Sequence, residues 1–418
     1  MPNTVFPRGS SHYINTLNKR KILNLIRETG EISRADLAKK SGISAPTITR
    51  IVDSLINEEG LVRDVGEGAS SGGRKPVLLS FSGLDNFVIG VDLGSTSIYG
   101  VLANLNAEII AEVRLPTQVE KGFHHVMART RKVIDAILHD RQIAGKRIFG
   151  IGIAVAGLIN RYINVIEYSP DFHWRDADIL AALQPGIDIP IIFDNVTRVM
   201  ALGEMWYGIG RSVKDFIVVN IGYGIGAGII MEGRPFYGPR GMAGEFGHMT
   251  LDKESDIRCE CGNYGCLEAL ASGRAIAETA RMKMENGAVS LLSEMSENRY
   301  EVITAALVAE AAKGGDPLAK NIFDQAAEYI GIGIAALINL FCPEMVIIGG
   351  GVSLAGDLLF DIVKKTAAQR SMLPISRNVT IQASSFGTKA AVMGAVALIL
   401  NEVLHLNHDS GFPRVSYS

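Results

Sequence analysis

The chain has 418 residues, 47% of them hydrophobic, with 45 glycines, four cysteines and a formal net charge of −3. That length gives room for two or three cores and excludes a single small domain, while four cysteines argue against a disulfide framework. The charge is uneven: residues 1–80 hold 12 basic and 8 acidic side chains (net +4), and residues 81–418 hold 29 basic and 36 acidic (net −7). A basic head on an acidic body fits a DNA-reading domain fused to a small-molecule domain, although a charge of +4 is equally compatible with an ordinary solvated surface. No charged, apolar and small-residue leader opens the sequence, and no apolar stretch reaches 18 residues, so a cytoplasmic protein without membrane contact is expected.

In the head, Leu17, Ile22, Leu25 and Ile26 recur at helical spacing and Gly30 ends that helix. Ser33-Arg-Ala-Asp36 offers a cap and an acidic third residue for a second helix to about Lys40. After the turn at Ser41-Gly42-Ile43, Ser44 is placed to cap a third helix, Ala45 to about Asn57, with Pro46 tolerated in its first turn. Ile48, Ile51, Val52 and Leu55 face inward on this helix. Ser44, Thr47, Thr49 and Arg50 face outward, where a helix-turn-helix meets base edges and phosphates in the major groove. Residues 61–80 read as a β-hairpin wing whose glycine-rich tip carries Arg74 and Lys75, suited to a minor groove. The blander alternative is a three-helix packing domain with a loose linker.

From Phe87 the pattern becomes that of apolar strands ending in glycines or turn residues, as expected where backbone approaches a ligand closely. The first is Phe87-Val-Ile-Gly-Val-Asp92-Leu-Gly94-Ser-Thr96, with a returning strand from Ile98. Gly150–Gly157, Pro190–Asn195, Asn220-Ile-Gly222-Tyr-Gly224 and Val346-Ile-Ile-Gly349-Gly350-Gly351 follow in order. Between the last two lies Gly244-Glu245-Phe-Gly-His248, then Cys259-Glu-Cys261-Gly-Asn-Tyr-Gly-Cys266-Leu-Glu268. Three thiolates and one imidazole make a closed four-ligand set for structural zinc, and Gly262 and Gly265 let the short loop fold around an ion. A chance cluster of unrelated cysteines is the alternative. Cys342 reads as a buried core thiol, and Asp316-Pro317 starts an apolar helix to about Leu340 with Gly331 and Gly333 for close packing.

The Asp92-x-Gly94-x-Thr96 turn resembles the first phosphate loop of the actin-like ATPase and sugar-kinase superfamily. The cysteine loop makes the likeness specific. Residues 85–405 resemble the ROK group (repressors, open reading frames and sugar kinases), and the head resembles the domain found on ROK repressors and missing from their kinase relatives. The resemblance implies an α/β, two-lobed, RNase H-like sugar-kinase fold with an N-terminal winged helix-turn-helix. Its divisions would be residues 1–82 for the head, 85–200 plus 389–405 for the first lobe, and 201–388 for the second, with the zinc loop and the oligomer interface. It further implies that Asn195, Glu245, His248 and Glu268 bond sugar hydroxyls, while Asp92, Gly94, Thr96, Gly222, Gly224, Gly349 and Gly350 are remnants of a nucleotide seat.

The kinase pattern breaks at its chemistry. Where ROK kinases carry Asn-Asp, with the Asp accepting the sugar's proton, this chain has Asn195-Val196, and valine cannot act as a base. Asp194 would serve only with the loop shifted by two residues. Tyr223, where the kinases commonly have Thr, is expected to crowd the phosphate seat. Arg198 is a candidate for meeting an anionic ligand such as a sugar phosphate. The expectation is therefore a sugar-responsive regulator, a repressor of carbohydrate genes, with no catalytic residue and no ATP–magnesium turnover. It would bind double-stranded operator DNA as a homodimer or homotetramer, with a sugar or sugar phosphate as effector. The rivals are an active ROK hexose kinase that also binds DNA, and a scaffold on an inactive kinase fold.

Overall fold

The computed structural model describes residues 11–68, 75–84, 86–140 and 146–403, so Arg74 lies outside the described residues, as does the side chain of Leu17. In the head, the helix Ser11–Thr29 buries Ile22, Leu23 and Ile26, and Gly30 closes it at φ 81°. Strand β1 (Glu31–Ser33) leads into the helix Arg34–Ser41, where the Asp36 N–H donates to Ser33 Oγ at 3.1 Å. The helix Ala45–Asn57 turns Ile48, Ile51, Val52 and Leu55 inward, each at most 1% exposed. Ser44 precedes it without capping it: its Oγ pairs with Thr47 Oγ1 at 2.9 Å instead of a backbone N–H, which corrects the expected cap. Strands β2 (Val62–Glu67) and β3 (Val77–Phe81) form the wing, and β1 joins it in an antiparallel sheet ordered β1-β3-β2. Three helices and a wing make this a winged helix-turn-helix.

The body repeats one topology twice. Strands β4 (Asn86–Leu93), β5 (Ser97–Asn104) and β6 (Ile109–Pro116) form an antiparallel meander, and β7 (Arg147–Val155) pairs parallel to β4. A small antiparallel sheet, β8 (Leu158–Asn160), β9 (Val165–Ser169) and β10 (Trp174–Ala177), interrupts before β11 (Ile191–Asn195) pairs parallel to β7. The first large sheet is thus ordered β11-β7-β4-β5-β6. In the second lobe β12 (Phe216–Ile221), β13 (Ile225–Met231) and β14 (Arg234–Pro235) form the meander, with β15 (Met345–Gly349) and β16 (Thr380–Ala383) added parallel on the other side of β12. The central strands are unbroken apolar runs because both faces of each sheet are covered, which is why they read clearly in the sequence.

Two helices, Val196–Trp206 and Ala390–Val403, cross between the lobes. They approach so closely that a Cβ on Gly203 would lie 3.1 Å from Gly394 Cα, and one on Gly394 would press into the carbonyl of Val199. The apolar core does not stop at the head. Leu61 and Phe81 of the head share one buried cluster with Leu105, Phe149, Met205 and Trp206 of the body. Polar links reinforce this junction: Asn86 Nδ2 donates to Gly60 O (3.0 Å), and Arg147 Nη1 to Glu59 O (3.1 Å). Among the described residues no helix is long and apolar enough to cross a membrane.

Candidate functional site

The strands that carry chemistry all end at the cleft between the lobes, the place where open α/β sheets bind ligands. The end of β4 brings Asp92, the end of β7 Gly157, the end of β11 Asn195, the end of β12 Asn220, and the turn after β15 Gly350. Two adjoining cavities result.

The first cavity, of about 170 Å³, is bounded by Asn195, Glu245, His248 and Glu268, so the structure brings the four expected sugar contacts together. Asn195 caps the helix Val196–Trp206: its Oδ1 accepts from Thr197 N (2.9 Å) and Thr197 Oγ1 (2.6 Å), and its Nδ2 donates to Gly157 O (3.0 Å). One amide hydrogen remains for a ligand. Glu268 Oε2 accepts from Ile225 N at 2.8 Å, and a Cβ on Gly224 would press into that carboxylate and displace it. Burial pushes Glu268 up to about 7, against the pull of the Ile225 N–H. Burial also raises Glu245, opposed by His248 and Arg198.

Behind this cavity, His248 and Cys259, Cys261 and Cys266 place four ligand atoms within 4.8 Å of one another. His248 Nδ1 lies 3.5 Å from Cys259 Sγ, and Cys261 Sγ lies 3.8 Å from Cys266 Sγ. Sulfurs held ~2.3 Å from a tetrahedral ion stand roughly 3.8 Å apart, so the cluster has the dimensions to hold one metal ion. Burial pushes Cys266 up to about 12 and raises Cys259, so a cation is what would draw thiolates from these groups. His248 turns its other nitrogen, Nε2, toward Glu245 Oε2 at 3.9 Å. The loop is pinned from both sides: Glu260 pairs with Arg274, and its carbonyl accepts from Tyr168 OH of the first lobe at 3.3 Å. Cys342, expected in the core, is instead exposed, because it caps the helix Pro317–Phe341 at φ 46°.

The second cavity, of about 290 Å³, is bounded by Asp92, Gly94, Thr96, Gly222, Gly224 and Gly350, with Gly349 at the end of β15 beside them. Burial pushes Asp92 up to about 7, against Arg114. Tyr223 borders this cavity. It is 49% exposed, and the Arg274 guanidinium stands over its ring at 5.6 Å.

Val196 lies on the wall shared by the two cavities, where it offers only hydrocarbon. Asp194 is fully buried. Arg198 Nε donates to its Oδ1 at 2.9 Å, and Arg161 Nη1 stands 3.9 Å from its Oδ2. Burial alone would raise this carboxyl, but Arg198 and Arg161 outweigh it and hold it below the usual carboxylate range. A carboxylate so held is a poor proton acceptor. Arg198 itself is 2% exposed and paired with Asp194, so the anion-contact role considered for it does not hold. Asp171 and Tyr168, which enter the first cavity from the β9–β10 hairpin, were missed by sequence reasoning. Phe172 stacks on Trp174 at 4.3 Å and fixes that turn.

On the head, Ser44, Thr49 and Arg50 are exposed and Thr47 is half-buried at one end of the helix Ala45–Asn57. Thr49 Oγ1 donates to Ala45 O (3.1 Å) and Arg50 Nη2 to Asn15 Oδ1 (3.1 Å). Lys75 is exposed on the wing, 3.7 Å from Glu67.

The ROK family profile matches residues 88–402, and a winged helix-turn-helix DNA-binding profile matches residues 16–61. The chain is 33% identical to the xylose repressor of Caldicellulosiruptor bescii, over 95% of its own length and 98% of that protein. It is 32% identical to a glucokinase of Halalkalibacterium halodurans, over 75% of its length and 95% of that enzyme. Among solved structures, a ROK family transcriptional regulator homologous to the E. coli MLC protein superposes with a TM-score of 0.80 at 29% identity, covering 94% of this chain and 97% of that one.

Proposed function

The chain belongs to the ROK family, and from that premise we propose that it is a sugar-responsive, DNA-binding repressor of carbohydrate genes rather than a sugar kinase. One observation carries the reading: a hydrocarbon side chain, Val196, stands on the wall between the two cavities, at the position to which the resemblance assigns the kinases' proton acceptor. Beside it the polar groups of the sugar cavity are kept, and a DNA-reading head is fused to the same body. In this reading Asn195, Glu245, His248 and Glu268 hold the sugar hydroxyls, and zinc on His248, Cys259, Cys261 and Cys266 holds the segment that carries the last three of them. Zinc bound through His248 Nδ1 leaves Nε2 as a donor toward the ligand. Ser44, Thr47, Thr49, Arg50 and Lys75 face the DNA.

Coupling has a physical carrier. The helix Val196–Trp206, ~16 Å long by its rise, begins at Asn195 in the sugar cavity and ends beneath the head. There Arg27 of the head's first helix donates to Trp206 O at 2.9 Å, and its guanidinium stands 5.5 Å over the Trp206 ring and 5.2 Å over that of Tyr207. A sugar that shifts the cap end of this helix therefore moves the seat of the head. Linkage then requires DNA and sugar to alter each other's affinity by the same factor.

The test uses purified full-length protein. With D-glucose, N-acetylglucosamine, D-xylose or D-allose and magnesium–ATP, no ADP is expected, whereas at least one sugar should change affinity for a selected duplex measured by fluorescence anisotropy. Sustained ADP release, or a head that ignores duplex DNA at modest ionic strength, would sink the reading.

A further inference from the structure

The sugar cavity and the phosphate-side cavity share a wall made of Ala156, Asp171, Val196, Asn220 and Gly224. Within that wall Asp171 is the one ionisable side chain; burial raises its carboxyl, opposed by Arg274, His248 and His173. Around the two cavities together, Asp92, Asp171, Glu245 and Glu268 contribute carboxyl groups, and among the described residues no lysine or arginine lines either cavity. The cations that come near are already matched. Arg198 is spent on buried Asp194, and Arg274 is paired with Glu260 on the cysteine loop. The positive end of the helix Val196–Trp206 also points here, with the Asn195 side chain taking one of its N–H groups, that of Thr197.

A phosphorylated sugar would bring about −1.5 to −2 charges into this space, and phosphate seats in proteins supply guanidinium, ammonium or open backbone donors for that charge. We propose that Asp171 is a charge filter that makes this pocket selective for an uncharged sugar over its phosphate ester. The inference rests on the reading of the first cavity as a sugar seat and narrows it to a ligand class. Asp171 is suited to the task by its mounting. It sits in the turn Pro170–Phe172 at the tip of the β9–β10 hairpin, held by the Phe172–Trp174 stack and by pairing of Ser169 with Trp174. Its backbone is thereby held at the cleft. A hydroxyl of a neutral sugar meets the same carboxylate as a hydrogen-bond acceptor, so one group attracts one ligand class and repels the other.

The experiment compares D-glucose with glucose 6-phosphate, N-acetylglucosamine with its 6-phosphate, and D-xylose with its 5-phosphate, by thermal shift and titration calorimetry on the full chain. Wild type and the isosteric Asp171→Asn are measured together, with Asp171→Ala as a second variant should the first fold poorly. Whichever sugar binds should do so at least about tenfold more tightly than its own ester in the wild type, and that ratio should fall severalfold in the variants. An ester that binds as well as its sugar would overturn the filter while leaving the sensor reading intact. A ratio unchanged in both variants would place selectivity elsewhere and also overturn it. ADP release from sugar and ATP that Asp171→Asn abolishes would make Asp171 a proton acceptor and end both readings. A protein that answers to neither form in the panel loses the sensor reading, and the filter with it.

Discussion

The two lobes share one strand topology and differ in what is inserted into it. In the first, the β8–β10 sheet is inserted between the two strands that run parallel to the meander, and the hairpin turn carrying Asp171 reaches into the cleft. In the second, a loop carrying three cysteines and His248 follows the meander and reaches the cleft from the opposite side. The insertions touch through Tyr168 and Glu260. Duplicated strands set the cleft and bring Asn195 and Asp92 to it, while Asp171, Glu245, His248 and Glu268 sit in segments that are not duplicated. Disturbing the inserted segments should therefore change ligand response, and disturbing the shared frame should change stability.

Cysteine-loop disruption is expected to have the largest effect. Cys261→Ser, or chelation of the wild type, should release metal measurable by elemental analysis and raise hydrogen exchange across residues 244–268. Because Glu245, His248 and Glu268 all stand on this segment, sugar binding should fall beyond detection while the head still binds DNA. Structural zinc in small domains contributes roughly 10 kcal/mol or more to local folding, so a mild phenotype would show that the loop is held by its protein contacts alone.

Gly394→Ala tests the frame. Alanine normally stabilises a helix relative to glycine by about 0.5–1 kcal/mol. Here the added methyl would press into the Val199 carbonyl, a backbone atom that cannot rotate away. A loss of about 3 kcal/mol in unfolding free energy is expected instead, read from chemical denaturation. Gly351→Ala is the control, since a Cβ there meets nothing within 4 Å. Equal behaviour of the two would mean that the crossing helices separate at little cost.

How much of this could be read in advance follows from how local each signal is. The helix Ala45–Asn57 was legible because Ile48, Ile51, Val52 and Leu55 repeat at helical spacing, and the metal ligands because they fall within nineteen residues of chain. The parallel strands were legible as apolar runs. Strand β1 was not, because three residues between two helices carry no period. Asp171 was not, because a lone aspartate after a proline has no spacing partner; the hairpin around it becomes visible only through pairing of Val165–Ser169 with Trp174–Ala177. Asp194 and Arg198 lie four apart on the sequence, and what hid their pairing was that each alone invited a ligand-facing role. The docking of the head on the body left no trace in charge, since Arg27 meets Phe81, Trp206 and Tyr207 as a cation over aromatic rings.

Arg27→Met sharpens the comparison at that junction. Methionine keeps an apolar stem beneath Trp206 but removes the donor and the charge. Affinity for DNA without sugar should be close to that of wild type, whereas the sugar-induced change should shrink by about 1 kcal/mol, roughly fivefold. Anisotropy titrations with and without sugar measure both quantities. An undiminished response would mean that coupling bypasses the helix Val196–Trp206.

The smallest effect concerns the phosphate side, where the frame has kept a carboxylate with no assigned work. Burial raises Asp92 from 3.8 to about 7. The folded protein therefore holds a proton there that the unfolded chain has released once the pH exceeds about 4, and stability falls as pH climbs from 4 toward 7. Asp92→Asn removes that dependence. Its unfolding free energy should match wild type near pH 4 and exceed it increasingly up to pH 7–8, by about 1 kcal/mol once the partial access of Asp92 to cavity water is allowed for. Should the variant instead be less stable than wild type at pH 8, the Asp92 carboxylate must be stabilised in the folded chain, and the phosphate side would be a maintained binding site rather than a remnant.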